Sequence, residues 1–129
     1  MVLYESNYRK LTSLTGRLNG DGSKWISRAF GDHELYLERT LSEAYTTTFK
    51  MTYWLRDAAG HPVMDPDLTV RVYEDAALAE ALSCRSQHEH GWFRRHGSSP
   101  SGELNRRWHL NMMLNKWLDY LIDSGHGFA

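Results

Sequence analysis

Apolar residues recur along this chain at two different periods, and the change of period marks out its elements. Tyr4, Tyr8, Leu11, Leu14 and Leu18 follow spacings of four, three, three and four residues, which lays them along one face of an amphipathic helix. That helix stops near Gly16, because Asn19-Gly20-Asp21-Gly22 supplies positions open to positive φ and side chains that hydrogen-bond their own turn. Beyond it the period falls to two. Trp25 to Phe30 reads as a strand and Gly31-Asp32 as a hairpin turn into a second strand, His33 to Leu41. There Leu35, Leu37 and Leu41 face one way while Glu34, Tyr36, Glu38 and Thr40 face the other. In a third strand, Tyr45 to Arg56, the positions Tyr45, Phe49, Met51, Tyr53 and Leu55 oppose Thr46, Thr48, Lys50, Thr52, Trp54 and Arg56.

Asp57 to Pro62 and Asp65-Pro66 read as a loop, since each proline removes a ladder donor. A fourth strand then points Leu68, Val70 and Val72 inward and Thr69, Arg71 and Tyr73 outward. The stretch from Asp75 to Ser83 is open to two readings: its alanines and leucines favour a helix that Asp75 would cap, and its position after a strand favours a partner strand. We read a strand, with helix as the alternative. His88 to Arg95 reads as a last edge strand, and Gly97 to Gly102 as a turn-rich connection. From Glu103 to Asp123, Leu110, Leu114, Trp117 and Leu121 line one helix face, flanked by Met113, Leu118 and Ile122, and Gly125 supplies a left-handed cap. The sum is an α+β fold: an N-terminal helix, an antiparallel β-meander of four to six strands and a long C-terminal helix, with both helices on one sheet face. Residues 1–129 read as a single domain of this class.

At 129 residues the chain is long enough to bury about two-thirds of the surface its unfolded form exposes, so it needs neither metal nor disulfide to fold. A hydrophobic share of 41% beside a charged share of 24% fits a globular chain, and nothing approaches a membrane span. The first residues carry no basic stretch followed by an apolar run, which places the protein in the cytoplasm. Fifteen Lys and Arg against 16 Asp and Glu leave a net charge of −1, so no long-range field gathers a polyanion and nucleic acid is not an expected partner. Cys84 has no second cysteine to bridge to and reads as a small, partly buried strand residue.

No Gly-x-Ser-x-Gly elbow, phosphate-cradling glycine loop, Cys-x-x-Cys or His-Glu-x-x-His occurs, which removes the strongest sequence reasons to propose an enzyme. His88 and His90, with His96 and His109 downstream, could share a face if extended, but their spacing matches no zinc pattern, and we assign no metal and no cofactor. The more informative set lies on the outward face of the strands: Tyr36, Glu38, Trp54, Arg56, Arg71 and Tyr73. Large aromatic surfaces there fit docking of a protein partner or a second copy of the chain, with Arg71 and the rings as anchors. The alternative is a small anionic ligand such as a nucleotide, with Arg71 as anchor and Tyr73 and Trp54 as walls. Cross-strand aromatics that simply cover the sheet, with Arg71 paired to Glu38 or Glu80, are the structural counterpart of both. Arg94-Arg95-His96 and Arg106-Arg107-Trp108-His109 are read as solvated basic pieces. Asn7 and Asn111 sit among apolar helix positions, and an amide buried there has to be hydrogen-bonded, which points to pinning of backbone.

Three blocks carry a family resemblance: Tyr4-Glu5-Ser6-Asn7-Tyr8 with Leu11 and Leu14; Leu68-Thr69-Val70-Arg71-Val72-Tyr73 with Asp75-Ala76 and Ala79-Glu80; and Asn111, Leu114, Trp117, Leu118 and Gly125. In these the chain resembles a small proteobacterial family of unknown function, the YqiB-like proteins. The resemblance implies a β-prone segment where this chain has Leu78 to Leu82, which favours the strand there. It implies no enzyme class, cofactor or substrate, and its blocks leave out the histidines near residue 90. The reading for function is a non-enzymatic interaction or regulatory module, with small-ligand binding as the alternative and an enzyme of unassigned class behind both.

Overall fold

Between residues 24 and 85 the period of two becomes a five-stranded antiparallel sheet whose strands lie side by side in chain order. The computed structural model describes residues 2–16, 23–56, 58–85 and 103–128. Its elements are α1 (Val2–Thr15), β1 (Lys24–Ser27), β2 (Glu34–Ser42), β3 (Thr46–Arg56), β4 (Pro62–Tyr73), β5 (Leu78–Arg85) and α2 (Glu103–Asp123). This is the expected α+β architecture. Leu18, the Asn19–Gly22 turn, the strand read over His88–Arg95 and the Gly97–Gly102 connection lie outside the described residues.

One sheet face makes the core. Leu35 stands opposite Tyr53, Leu37 opposite Met51, and Met51 opposite Leu68 in successive registers. Phe49 meets Val70 and then Ala81, and Val72 meets Ala79. All are buried, and Leu11 and Leu14 of α1 close over them with Met113, Leu114, Trp117, Leu118 and Leu121 of α2. Cys84 packs against this cluster from its margin. Burying each large side chain of this kind contributes about 1.5–3 kcal/mol, so the covered face is where the sheet draws its stability.

The two helices run parallel, as their contacts rise together. Asn7 meets Asn111, Lys10 bonds Asn115 and Asp119 at 2.8 Å each, and the Phe128 N–H donates to the Leu14 carbonyl at 3.0 Å. Tyr8 adds an anchor by donating to Glu74 in the turn between β4 and β5. Along its length α2 crosses the sheet: Asn111 reaches Ala81 on β5, the Trp117 ring lies 5.2 Å from Tyr53 on β3, and His126, just past the helix end, reaches Ser27 on β1. Gly125 makes that last reach geometrically accessible. At φ +93° it turns the chain while its N–H bonds Ile122 O and the next N–H, of His126, bonds Leu121 O, the double closure of a Schellman motif.

Irregular registers move several residues from the faces that plain alternation assigns. Between Arg39 and Leu41 the β2–β3 register shifts, so Arg39 faces Phe49 and Leu41 faces Thr48. One inserted residue reverses parity, and Leu41, expected beside Leu35 and Leu37, is 44% exposed. Tyr45 precedes β3 rather than opening it and is 65% exposed. The stretch expected to be loop around Pro62 and Pro66 belongs to β4. Pro62 begins that strand, and Asp65-Pro66 falls where the register slips between Thr52 and Trp54, the two places where a sheet tolerates a missing donor. β1 ends at Ser27, earlier than expected, which leaves Phe30 fully exposed in the connection to β2. The ambiguous segment resolves into a turn over residues 74–77 and β5, with Ala77 held at φ +54°.

Candidate functional site

Neither helix covers the second face of the sheet, and the site residues read from the sequence lie there in two groups. Tyr36 stands opposite Thr52, and Trp54 is one step along, opposite Glu34. This diagonal brings the Tyr36 and Trp54 rings to 4.5 Å between centroids at 41°. Ile26, opposite Tyr36 on β1 and 43% exposed, widens the apolar surface, and Arg28 pairs with Glu34 at its margin. Arg71 and Tyr73 occupy the other end of β4, where Arg71 faces Thr48 on one side and Glu80 on the other. From Thr48 to Trp54 along β3 is on the order of 20 Å, so the structure brings Tyr36 to Trp54 and Arg71 to Tyr73 but keeps the two pairs apart. The side chain of Arg56 lies outside the described residues.

Arg71 is engaged within the sheet. Its Nε donates to Thr48 Oγ1 at 3.4 Å, and the Tyr73 hydroxyl beside it donates to Glu80 Oε1 at 2.7 Å. That bond to a carboxylate, followed by burial, raises the Tyr73 phenol above its usual pKa, with Arg71 pulling the other way. Charges of both signs are interspersed along this face: Lys24, Lys50 and Arg71 stand among Glu34, Glu38, Asp67 and Glu80, and the Arg85 position lies opposite Asp67 in the β4–β5 register.

Between the two groups the face dips into a cavity of about 340 Å³ lined by Thr40, Lys50, Asp67, Thr69 and Ser83. Lys50 Nζ lies 3.4 Å from Asp67 Oδ2, and Thr52 Oγ1 donates to Asp67 Oδ1 at 3.2 Å. Thr52 is only 2% exposed, so the carboxylate is oriented by a buried hydroxyl. Sequence reading placed Lys50 and Thr52 on this face. It did not place Asp67, whose contribution depends on the register of β4 against β3.

A second polar cluster, missed in the sequence, sits where the C-terminal segment meets the turn between β1 and β2. His126 Nε2 lies 2.8 Å from Asp32 Oδ2, and His126 Nδ1 lies 2.9 Å from Ser27 Oγ. Tyr53 OH also donates to Asp32 Oδ2, at 3.0 Å, and the Gly127 N–H donates to Ser27 Oγ at 2.9 Å. Nε2–H donates to the Asp32 carboxylate, and Nδ1 shares a hydrogen bond with the Ser27 hydroxyl. Burial favours a neutral Asp32, but the backbone N–H of His33 and the His126 and Tyr53 side chains outweigh it and lower the pKa of this carboxyl below its usual value. Tyr53 is shifted strongly upward, by burial foremost.

A hydroxyl, an imidazole and a carboxylate in hydrogen-bonded sequence resemble the parts of a hydrolase. Here Ser27 is 2% exposed and its oxygen already receives a backbone N–H, so the hydroxyl is held away from any substrate. The cluster fastens residues 126 and 127 to β1. No sequence spacing announces it, since Ser27 and His126 are 99 positions apart.

Asn111 fastens the opposite edge. Its Oδ1 accepts the Ala81 N–H at 2.7 Å and its Nδ2 donates to Ala81 O at 3.4 Å, so the amide acts as a short extra strand along β5. Asn7 and Asn115 extend this chain between the helices, with Asn115 Nδ2 donating to Asn7 Oδ1 at 2.9 Å. The pinning role expected for Asn7 and Asn111 is what these bonds perform.

Residues 10–127 match the model of a family described as a protein of unknown function, DUF1249. The chain belongs to this family. Neither the curated proteins nor the solved structures compared with it give a match. In this DUF1249 chain the open sheet face, the Asp32–His126 cluster and Asn111 all fall inside the matched segment, and Asn7 lies just ahead of it. Among the described residues no three His, Cys, Asp or Glu side chains converge as metal ligands, and His88, His90 and His96 lie outside those residues. No described helix is long and apolar enough to cross a membrane.

Proposed function

We propose that this DUF1249 protein is a non-enzymatic interaction or regulatory module that engages a protein partner, or a second copy of itself, through the open face of its sheet. The observation that carries this reading is the placement of the helices. Both cover one face, and the opposite face, which neither helix covers, holds half-buried Tyr36 and Trp54 beside exposed Ile26 in one apolar patch, the composition of an interface centre rather than of an idle surface. A cytoplasmic setting and the narrower kinship with YqiB-like bacterial proteins belong to the same proposal, the kinship resting on the motif blocks.

The small-ligand reading moves away from Arg71. An anion there would meet Glu80 across the strand pair and would compete with Thr48 for the guanidinium. The cavity beside Lys50 supports a ligand better than either tyrosine does. An enzymatic role draws least support, because the Ser27–His126–Asp32 chain is enclosed and saturated.

Trp54→Ala combined with Tyr36→Ala tests the reading. Self-association by sedimentation and affinity capture of partners should fall at least tenfold with the unfolding temperature little changed. Association equal to that of the unaltered protein would remove this face as the interface.

A further inference from the structure

We infer that the cavity on the open face is a binding site for a neutral polyhydroxylated ligand, a saccharide or related polyol. The site is separate from the apolar docking patch of the proposed function and shares only Tyr36 with its edge.

The lining selects the ligand class. Thr40, Thr69 and Ser83 present hydroxyls, Lys50 an ammonium and Asp67 a carboxylate, and no apolar side chain lines the cavity among the described residues, so an apolar ligand gains nothing by entering. An anion drawn to Lys50 would face Asp67 at its side and Glu38 directly across the β2–β3 pair. A cation drawn to Asp67 would face Lys50 and lie beside the Arg85 position across the β4–β5 pair. A neutral ligand with adjacent hydroxyls avoids both penalties, because one hydroxyl donates to Asp67 while its neighbour accepts from Lys50.

The ion pair is built to admit such a ligand. A closed ammonium–carboxylate hydrogen bond runs to about 2.7–2.9 Å, whereas Lys50 and Asp67 stand at 3.4 Å with Lys50 substantially exposed, which leaves hydrogen-bonding capacity on both groups. Asp67 is also preoriented, since buried Thr52 fixes one of its oxygens, and a preset acceptor lowers the ordering cost of binding.

Tyr36 completes the geometry. Tyr36, Thr52 and Asp67 lie in one row across β2, β3 and β4, so the backbone positions of Tyr36 and Asp67 stand about 10 Å apart at the edge of the cavity, with Thr52 between them. A pyranose ring spans that gap, its C–H face against the aromatic ring and its hydroxyls towards Asp67, Lys50 and Thr69.

The test is a titration of isotope-labelled protein with glucose, galactose, N-acetylglucosamine, maltose and cellobiose, followed by amide shifts in two-dimensional NMR. Inorganic phosphate and glycine serve as the anionic and zwitterionic comparisons. Saturable shifts at Lys50, Thr69 and Ser83 with at least one sugar are expected, and Asp67→Asn should weaken that sugar at least tenfold. Thr52→Val, which keeps the side-chain shape, should weaken it severalfold. No saturable response to any of the sugars overturns the inference, as does a response at these residues to phosphate or glycine in their place. The two readings separate cleanly: Asp67→Asn should leave partner capture intact, and Trp54→Ala should leave sugar binding within about twofold.

Discussion

Asp32 and Asp67 each anchor a polar cluster in this DUF1249 protein, and they are finished in opposite ways. Asp32 lies against the C-terminal segment with His126 at 2.8 Å and Tyr53 at 3.0 Å, and its side chain is 7% exposed. Asp67 lies on the sheet face opposite the two helices with Lys50 at 3.4 Å and Thr52 at 3.2 Å, beside an open cavity. A charge taken out of water has to be saturated by its own protein, because each unmet hydrogen bond there costs about 1–3 kcal/mol. Asp67 keeps 19% of its side chain exposed beside the cavity, and the hydrogen-bonding capacity that Lys50 and Thr52 leave unfilled is available to a ligand. Enclosure, more than residue type, therefore separates the cluster that holds the fold from the one suited to binding.

That contrast gives a ranked set of expectations. The largest effect should come from Asn111→Ala, which strips the Ala81 N–H and carbonyl of their partner inside the helix–sheet interface. A loss of about 3 kcal/mol in chemical denaturation is expected. A change below about 1 kcal/mol would mean that water or a neighbouring group replaces the amide.

Acid should expose Asp32 next. Its folded pKa lies below the unfolded value of about 3.9, so the stabilisation is fully present above that pH and is lost as pH falls through the depressed folded value. Asp32→Asn should flatten this acid limb in denaturation curves recorded from neutral pH down to about 2. An unaltered limb would show that other carboxylates control acid unfolding.

Gly125→Ala is expected to cost about 1 kcal/mol, from forcing a side chain into the left-handed region rather than from a clash, since open space surrounds the position. The smallest changes in stability belong to the open face. Trp54→Ala and Lys50→Met should stay within about 0.5–1 kcal/mol of the unaltered protein while abolishing capture and sugar binding respectively. A larger loss of stability would assign those residues to the fold.

Much of the architecture was legible because two periods, 3.6 and 2, carry it. Alternation named Leu35, Leu37, Met51, Tyr53, Leu68, Val70 and Val72 as core, and all seven are buried. It failed at Leu41, and the loop reading from the prolines failed at Pro66, where a slipped register changes which face or element a residue joins, and a local pattern holds no record of a bulge that the partner strand defines. The site was legible to the same depth. Alternation put Tyr36, Trp54, Arg71 and Tyr73 on one face, but distance along the face depends on register, so the separation of the two pairs was not readable. Asn111 announced itself as a polar residue in an apolar stripe. Asp32 read as an ordinary turn residue and His126 entered no sequence pattern, because their pairing joins positions 94 residues apart.

Thermal unfolding of Asp32→Asn and Asp67→Asn side by side at neutral pH tests the contrast most directly. The account predicts that Asp32→Asn lowers Tm by about 5–10 °C, corresponding to about 2 kcal/mol in a chain of this size, and that Asp67→Asn shifts it by no more than about 2 °C. Equal losses, or a larger loss for Asp67→Asn, would contradict it, since the open face would then be part of what holds the fold together.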